Sequence, residues 1–296
     1  MMLMADLYNL DNNQQQISTY QNQLSSGKQL TEVSDNPTSA AQVLALQTTM
    51  SLNTQYLRNV DAGTAWLNAT DSALQGVNSV LQRAQELAVQ GANDTQNASD
   101  RQSIATEVNG LLGQAVELGN STYAGNYIFA GAQTTIAPFA EANGAVSYAN
   151  SDPVSATTAL NQTIGPDTQV TINTIGHDPV GGNAVFDQVF NALTGLSQAL
   201  NANDTAQIQA SIQQLSDTQN TLSQNEATVG ARLSQLSTAT QQLNSLQNTL
   251  GTATSNLQDT DMAQAATYFA QSSSVQQAAL QATAKSLPPS LFSYLA

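Results

Sequence analysis

The residues that could carry chemistry in this 296-residue chain are few, beginning with its single histidine. His177 sits in Gly176-His177-Asp178-Pro179, a turn composition. A lone loop histidine is far more often a solvated turn residue than a catalytic base. Serine and aspartate are plentiful enough for a Ser-His-Asp set on paper, yet no Gly-x-Ser-x-Gly turn presents a nucleophile. Gly27-Lys28 lacks the preceding glycine spacing of a phosphate-cradling loop. Asp259 and Asp261 can share a cation, but at a helix start they serve more readily as caps, because that end of the helix dipole favours negative charge. Trp66 lies in a helical run and reads as packing rather than recognition. Cysteine is absent, which removes thiolate chemistry, disulfides and cysteine-based zinc sites. The expectation is a protein that is not an enzyme and takes no metal or cofactor.

What the sequence repeats instead is a beat of apolar residues. Leu3, Leu10, Ile17 and Leu24 fall seven apart at one end, and Leu222, Val229, Leu236, Leu243, Leu250 and Leu257 do the same near the other. Such a repeat keeps one narrow seam facing a partner helix along its length. The polar residues are unusual as well. Hydrophobic residues make up 41% of the chain and charged ones 9%, against about 25% charged in ordinary globular proteins. Solubility therefore rests on Gln, Asn, Ser and Thr. Six Lys and Arg face 21 Asp and Glu, and a formal charge of −15 repels phosphate backbones and anionic lipid, so nucleic acid and membrane are not expected partners. No run approaches the roughly 18 apolar residues of a membrane span, and residues 1–10 lack the basic start and apolar stretch of a secretory signal.

The elements that carry these seams are helical from the start to about residue 130, with two breaks. The first runs from Ser25-Ser26-Gly27-Lys28 to Val33-Ser34-Asp35-Asn36-Pro37, where Asp35 and Pro37 read as cap and first-turn residue of the next helix. Val43, Met50 and Leu57 hold one register; Val60, Leu67, Leu74 and Leu81 hold another, with the shift placed at the turn-prone Asn59 to Gly63. The second break is Gly91-Ala92-Asn93-Asp94-Thr95, after which Ser99 or Asp100 can cap a helix carrying Ile104, Val108, Leu111, Leu112 and Leu118. From Ala124 the period changes, and residues 145–148 and 169–175 read as strands. Helical spacing returns over 185–200 and again over 206–258.

The predicted fold is mainly α: a long antiparallel helical bundle or coiled coil built from both ends of the chain, with a small β-containing domain inserted between them. Its expected parts are a terminal coiled coil (1–35 with 259–296), a helical rod (36–135 with 188–258) and a β-rich outer insert (136–187). Four leucine-class contacts bury too little surface to order a terminal helix by themselves. Leu10, Ile17, Leu24, Phe269, Leu280, Leu287 and Leu291 are therefore expected to pack against other copies, the alternative being an intramolecular core.

Several stretches then add a family resemblance. Leu24-Ser25-Ser26-Gly27-Lys28 with Ser34-Asp35-Asn36-Pro37, Glu86-Leu87-Ala88-Val89-Gln90-Gly91-Ala92-Asn93 with Asp100-Arg101, Val229-Gly230-Ala231-Arg232-Leu233 and Asp259-Thr260-Asp261 resemble the signatures of the bacterial flagellin family. Gly125-Asn126-Tyr127-Ile128-Phe129-Ala130-Gly131 followed by Pro138-Phe139, and the ending Ser290-Leu291-Phe292-Ser293-Tyr294-Leu295, are more similar to the family's junction subunits than to its filament subunits. The Phe-Asn-Gly turn common in filament subunits is missing. Residues carried over from the family are Gly27, Asp35, Pro37, Glu86, Asn93, Arg101, Gly125, Tyr127, Phe129, Gly131, Gly230, Arg232 and Asp261. Asn36 stands where the family usually has a second Asp, Pro288-Pro289 interrupts the last helix, and residues 1–6 lack the usual basic start.

The resemblance implies a structural flagellar subunit that polymerises through its terminal helices and joins the hook region to the filament. Its implied partners are further copies of itself, hook-associated protein 1 on the hook side, flagellin on the filament side and a cytoplasmic export chaperone at the C-terminal helix. It further implies an extracellular location on the bacterial flagellum, reached through the type III apparatus without a cleaved signal. A filament flagellin is the alternative, and a secreted enzyme on flagellin-like ends is a remote one. Tyr127, Ile128 and Phe129 also fit a simpler role, a strand anchoring the insert to the helices.

Overall fold

Every seventh residue along the longest C-terminal helix is buried, and this regularity organises the molecule. The computed structural model describes residues 2–142, 144–149, 153–179, 181–182 and 184–286. Helices α1 (Met2–Ser26), α2 (Pro37–Gly91) and α3 (Ala98–Gly119) come first. Strands β1 (Thr122–Tyr123), β2 (Asn126–Tyr127), β3 (Phe139–Ala142) and β4 (Ala145–Tyr148) precede the short helix α4 (Pro153–Thr157) and strands β5 (Asn161–Thr163) and β6 (Gln169–Thr171). Helices α5 (Val185–Asn201), α6 (Thr205–Gln258) and α7 (Met262–Ser286) complete the order. The mainly α reading with a β-containing middle therefore holds. The chain divides into two compact units: a core unit, residues 55–244, and a terminal unit, residues 1–54 with 245–296.

In the core unit α6 buries Ile208, Leu215, Leu222, Val229, Leu236 and Leu243 at seven-residue steps. On α2, Val60, Leu67, Leu74, Leu81 and Ala88 form one row, and Thr70, Val77 and Ala84 form the interleaved one. Alternating three- and four-residue steps of this kind mark the two rows of a single seam. The predicted register shift at Asn59 to Gly63 is thus a change of row inside an uninterrupted helix. Packing overrides the local turn preference there, and Gly63 serves as a close approach, since a Cβ on it would lie 3.1 Å from Ile172 Cγ2 and 3.4 Å from Leu236 Cδ1.

Helix α3 begins at Asn97 rather than at Ser99 or Asp100. The Asn97 side chain accepts from the Asp100 amide at 2.9 Å, and the Asp100 carboxylate accepts from the Asn97 amide at 3.2 Å. This reciprocal box satisfies two otherwise orphaned donors. Its inner face packs on α5, whose Phe186, Val189, Phe190, Leu193, Leu196 and Leu200 are buried.

Among the described residues the middle holds three separate two-stranded antiparallel ribbons: β1 with β2, β3 with β4 (Phe139 opposite Tyr148) and β5 with β6 (Asn161 opposite Thr171). The strand predicted over 169–175 ends at Thr171 because the Asn173 side chain takes over the pairing: it accepts from the Leu160 amide at 2.8 Å and donates to Thr158 O at 2.9 Å. Phe139 ties this region to the helices, with ring centroids 5.3 Å from Phe186 and 5.0 Å from Phe190. Phe129 and Phe186 meet edge to face at 4.7 Å. The ribbons therefore share the apolar core of the core unit.

In the terminal unit α1 and α7 pair along their lengths, and the beginning of α2 meets the end of α6. Val43 and Leu250 are buried, and Asn53 donates to Gln247 Oε1 at 2.8 Å.

Candidate self-assembly surface

The terminal unit is built on two facing turns. Gly27 ends α1 in the left-handed region (φ +71°), which glycine adopts without steric penalty, and its carbonyl accepts from the Thr260 amide at 3.0 Å. Lys28 pairs with Asp259 in an antiparallel bridge, and the Gln29 amide donates to Gln258 O at 2.8 Å. The predicted cap at Asp35 moves by one residue: Asn36 Oδ1 accepts from the Ser39 amide at 3.1 Å, with Pro37 in the first helical position. Asp35 instead ties the preceding turn, accepting from the amides of Glu32 (2.9 Å) and Thr31 (3.0 Å) and from the Thr31 hydroxyl. These donors hold its carboxyl below the usual range. Asp261 caps α7, accepting from the amides of Ala263 (2.9 Å) and Gln264 (3.1 Å).

Leading away from the turns, α1 and α7 run antiparallel, since partners later on α1 lie earlier on α7. Asn13 donates to Ser272 O at 3.0 Å and to Gln276 Oε1 at 2.8 Å; Tyr20 meets Tyr268 at a centroid distance of 5.6 Å. Leu10, Asn13, Ile17, Tyr20 and Leu24 are half-buried along this seam, and Ala265, Phe269, Ser272 and Gln276 follow helical spacing on α7. The seam is thus partly polar, a feature invisible to a search for leucines. None of the α1 residues whose side chains are described is fully buried. Leu280 is 53% exposed and lies off the α7 positions that meet α1. Leu287 and Leu291 lie outside the described residues, as do Pro288-Pro289 and the Ser290 to Leu295 ending; the side chain of Leu3 does too.

Apolar surface is distributed unevenly. Eleven of the fourteen large apolar side chains that stay exposed among the described residues belong to the terminal unit, with Val89, Ile136 and Val154 the other three. Tyr8 is 68% exposed, Leu44 58% and Val275 57%. The exposed apolar side chains are thus concentrated in the terminal unit, which makes it the candidate interaction surface.

The remaining signature residues lie in the core unit, and several of them act as internal fastenings. Arg101 is 5% exposed; its Nε donates to Gly91 O at 2.8 Å, one terminal nitrogen to Asn93 O at 3.1 Å and the other to Asn203 Oδ1. One side chain thereby joins the α2–α3 turn to the α5–α6 turn. The Asn93 side chain folds its own turn by accepting from the Thr95 amide and hydroxyl. Glu86 stays on the surface in an ion pair with Arg83. Ala124 and Gly125, both with positive φ, form the tight turn between β1 and β2, as two-residue hairpins require. The Tyr127 amide then donates to Thr134 O at 2.7 Å, and Phe129 is fully buried. Gly131 (φ +63°) has no room for a side chain, because a Cβ would lie 2.2 Å from Ser155 O. Gly230 is exposed on α6 with nothing within 4 Å of a Cβ, so nothing in the structure explains glycine there. Arg232 donates to Asn173 O at 2.7 Å.

His177 departs from the expected solvated turn residue. Its side chain is 22% exposed, with Nδ1 2.5 Å from Asp187 Oδ1 and the ring 4.2 Å from Tyr148. Asp187 Oδ2 also accepts from the Asp178 amide at 2.8 Å. The histidine is a pin between the middle region and the first turn of α5. Trp66 is buried and meets Tyr123 edge to face at 6.2 Å, a packing role as read from its helical position.

These helical ends and the region between them match known proteins. The bacterial flagellin N-terminal helical region matches residues 1–134 and the corresponding C-terminal helical region residues 212–295. Flagellar hook-associated protein 3 of Salmonella typhimurium is 30% identical over 300 residues, covering 96% of this chain and 93% of that protein. The chain belongs to the bacterial flagellin family. Flagellar hook-associated protein 3 of Escherichia coli is 36% identical over 145 residues, a match spanning 49% of this chain and 46% of the relative. A solved flagellar hook-associated protein from Vibrio parahaemolyticus shares the fold with a TM-score of 0.66 at 19% identity, covering 76% of this chain and all of that one. Filament flagellins of several Salmonella match over 116 residues, 38% of this chain.

Proposed function

We propose that the chain is a structural subunit of the bacterial flagellum, a hook-associated junction protein that polymerises through its terminal helices and connects the hook region to the flagellin filament. The observation that carries this reading is the match to hook-associated protein 3 along 96% of the chain, where filament flagellins match over 38%. The physical basis is the terminal unit, whose α1–α7 seam is half-buried and whose outer faces hold most of the exposed apolar side chains. Copies stacked head to tail cover those faces, and a contact whose rotation does not close generates a helix. Leu10, Ile17, Leu24 and Phe269, half-buried in the α1–α7 seam, together with the exposed Leu280 and with Leu287 and Leu291, are the positions proposed for terminal packing among copies.

In this reading, residues 1–35 with 259–296 line the inner tube, 36–135 with 188–258 form the wall and 136–187 face outward. The partners are further copies, hook-associated protein 1 on one side and flagellin on the other, with a cytoplasmic chaperone holding the C-terminal helix before type III export to the extracellular flagellum. Electron microscopy of a deletion strain tests the junction role. Bare hooks with flagellin released into the medium are expected; intact filaments would overturn the reading.

A further inference from the structure

A cavity of about 550 Å³ lies in the core unit between α6 and the region ahead of α5, and one of its walls carries Arg232. The size falls within the range typical of small-ligand sites, about 300–1,000 Å³. A guanidinium offers five N–H donors in a rigid fork, and here the bond to Asn173 O, a neutral oxygen, engages one of its terminal nitrogens. Among the described residues no carboxylate lies within 4.0 Å of it. Burial lowers the Arg232 pKa from its ordinary value, with no opposing contribution from an acid. The contrast within the chain is clear: Arg83 contacts both Glu86 and Glu107, and Arg101 bonds three oxygens.

The other groups around the cavity define what would complete the fork. Thr174 contributes a hydroxyl, and among the described residues the Asn225 amide spends one of its two N–H groups, on Thr221 O. Ile175 and Val185 give apolar wall suited to a short aliphatic stem. Asp178 lines the same cavity and accepts from the Gly181 amide at 3.0 Å. Its charge repels a divalent oxyanion about twice as strongly as a monovalent one. A planar monovalent carboxylate answers the guanidinium geometry best.

We infer that this cavity is a carboxylate-binding site in which Arg232 is the anchoring residue. The carboxylate has two chemically equivalent sources: a small free aliphatic acid, or an Asp or Glu side chain of a second copy. With 21 acidic residues in each chain against six basic ones, an acid is the charged group a second copy most readily presents. That second source rests on the self-assembly reading above.

Sodium propionate, which mimics a glutamate side chain, tests the site on the full-length monomer, with sodium chloride and sodium sulfate at matched ionic strength as comparisons. NMR of the arginine Nε–H signals is expected to show a saturable shift of Arg232 with propionate and none with chloride. Arg232→Gln should weaken that binding by about tenfold or more, while Arg58→Gln leaves it unchanged and Arg232→Lys gives an intermediate loss. Assembly of the same variants, each checked for native circular dichroism, separates the sources. If propionate leaves the monomer signal unmoved but Arg232→Gln slows assembly at least about fivefold relative to Arg58→Gln, the carboxylate comes from a second copy. Stronger binding of sulfate than propionate overturns the inference, as does an unmoved Arg232 signal together with unchanged assembly. Should the wild-type chain fail to assemble at all, the assembly reading falls and the propionate titration alone decides this site.

Discussion

Arg101 joins two turns that lie about a hundred residues apart in sequence, and removing it strands the buried carbonyl of Gly91 and takes a donor from the exposed Asn93. Arg101→Ala should destabilise the chain by about 2–4 kcal/mol, visible as a lower urea midpoint. Gly230 supplies the opposite test, because it sits exposed in α6 with open space around it. Gly230→Ala should raise stability by about 0.5–1 kcal/mol; a loss would show that the position is packed in the monomer after all. Glu226 gives a pH-dependent test. Burial, and secondarily the negative charge of Asp71, raise its pKa, and its Oε1 is buried without a partner. The folded chain therefore holds the proton more tightly than the unfolded chain. The associated stability is fully present below the ordinary carboxylate value of 4.5 and is lost as pH rises through the raised one. Glu226→Gln should accordingly raise the Tm by about 1–3 °C at pH 8 and leave it nearly unchanged at pH 4.

At the scale of elements, the long seams explain why so much of the fold is legible in the sequence. Periodic burial on α2 and α6 sums over many turns, so single turn-prone residues such as Asn59 and Gly63 do not interrupt the helix. Caps were less legible. Asp, Asn and Ser cluster around the starts of both α2 and α3, all of them competent caps, and only geometry selects Asn36 and Asn97. The α1–α7 seam was legible in part. Leu10, Ile17, Leu24 and Phe269 lie at the half-buried seam positions, whereas the contribution of Asn13, Ser272 and Gln276 carries no hydrophobic signal. Arg101 was recognisable by family resemblance, but its link to Asn203 depends on a contact spanning 102 residues. Because the α1–α7 seam is shallow, a double Ile17→Ala, Leu24→Ala variant should lower assembly at least tenfold, an effect of about 1.4 kcal/mol. Light scattering measures assembly, and the thermal transition of the core unit should stay within about 1 °C of the parent, since distant sites act independently.

At the scale of the whole molecule, the two units divide the work. The core unit closes its own apolar interior through α2, α3, α5, α6 and the aromatic cluster around Phe139. The terminal unit leaves apolar faces open. On the proposed junction reading, a subunit that polymerises benefits from a core already closed in the monomer and from ends completed by neighbours. Local stability follows the density of buried contacts, so the helices of the terminal unit should open far more readily than the centre of α2. The most direct measurement of this claim is amide hydrogen exchange on the full chain, as monomer and after assembly. The account expects amides of α1 and α7 to exchange rapidly in the monomer and to become protected in the assembly, while those of residues 60–88 are protected in both states. Terminal helices already as protected in the isolated monomer as the centre of α2 would contradict it.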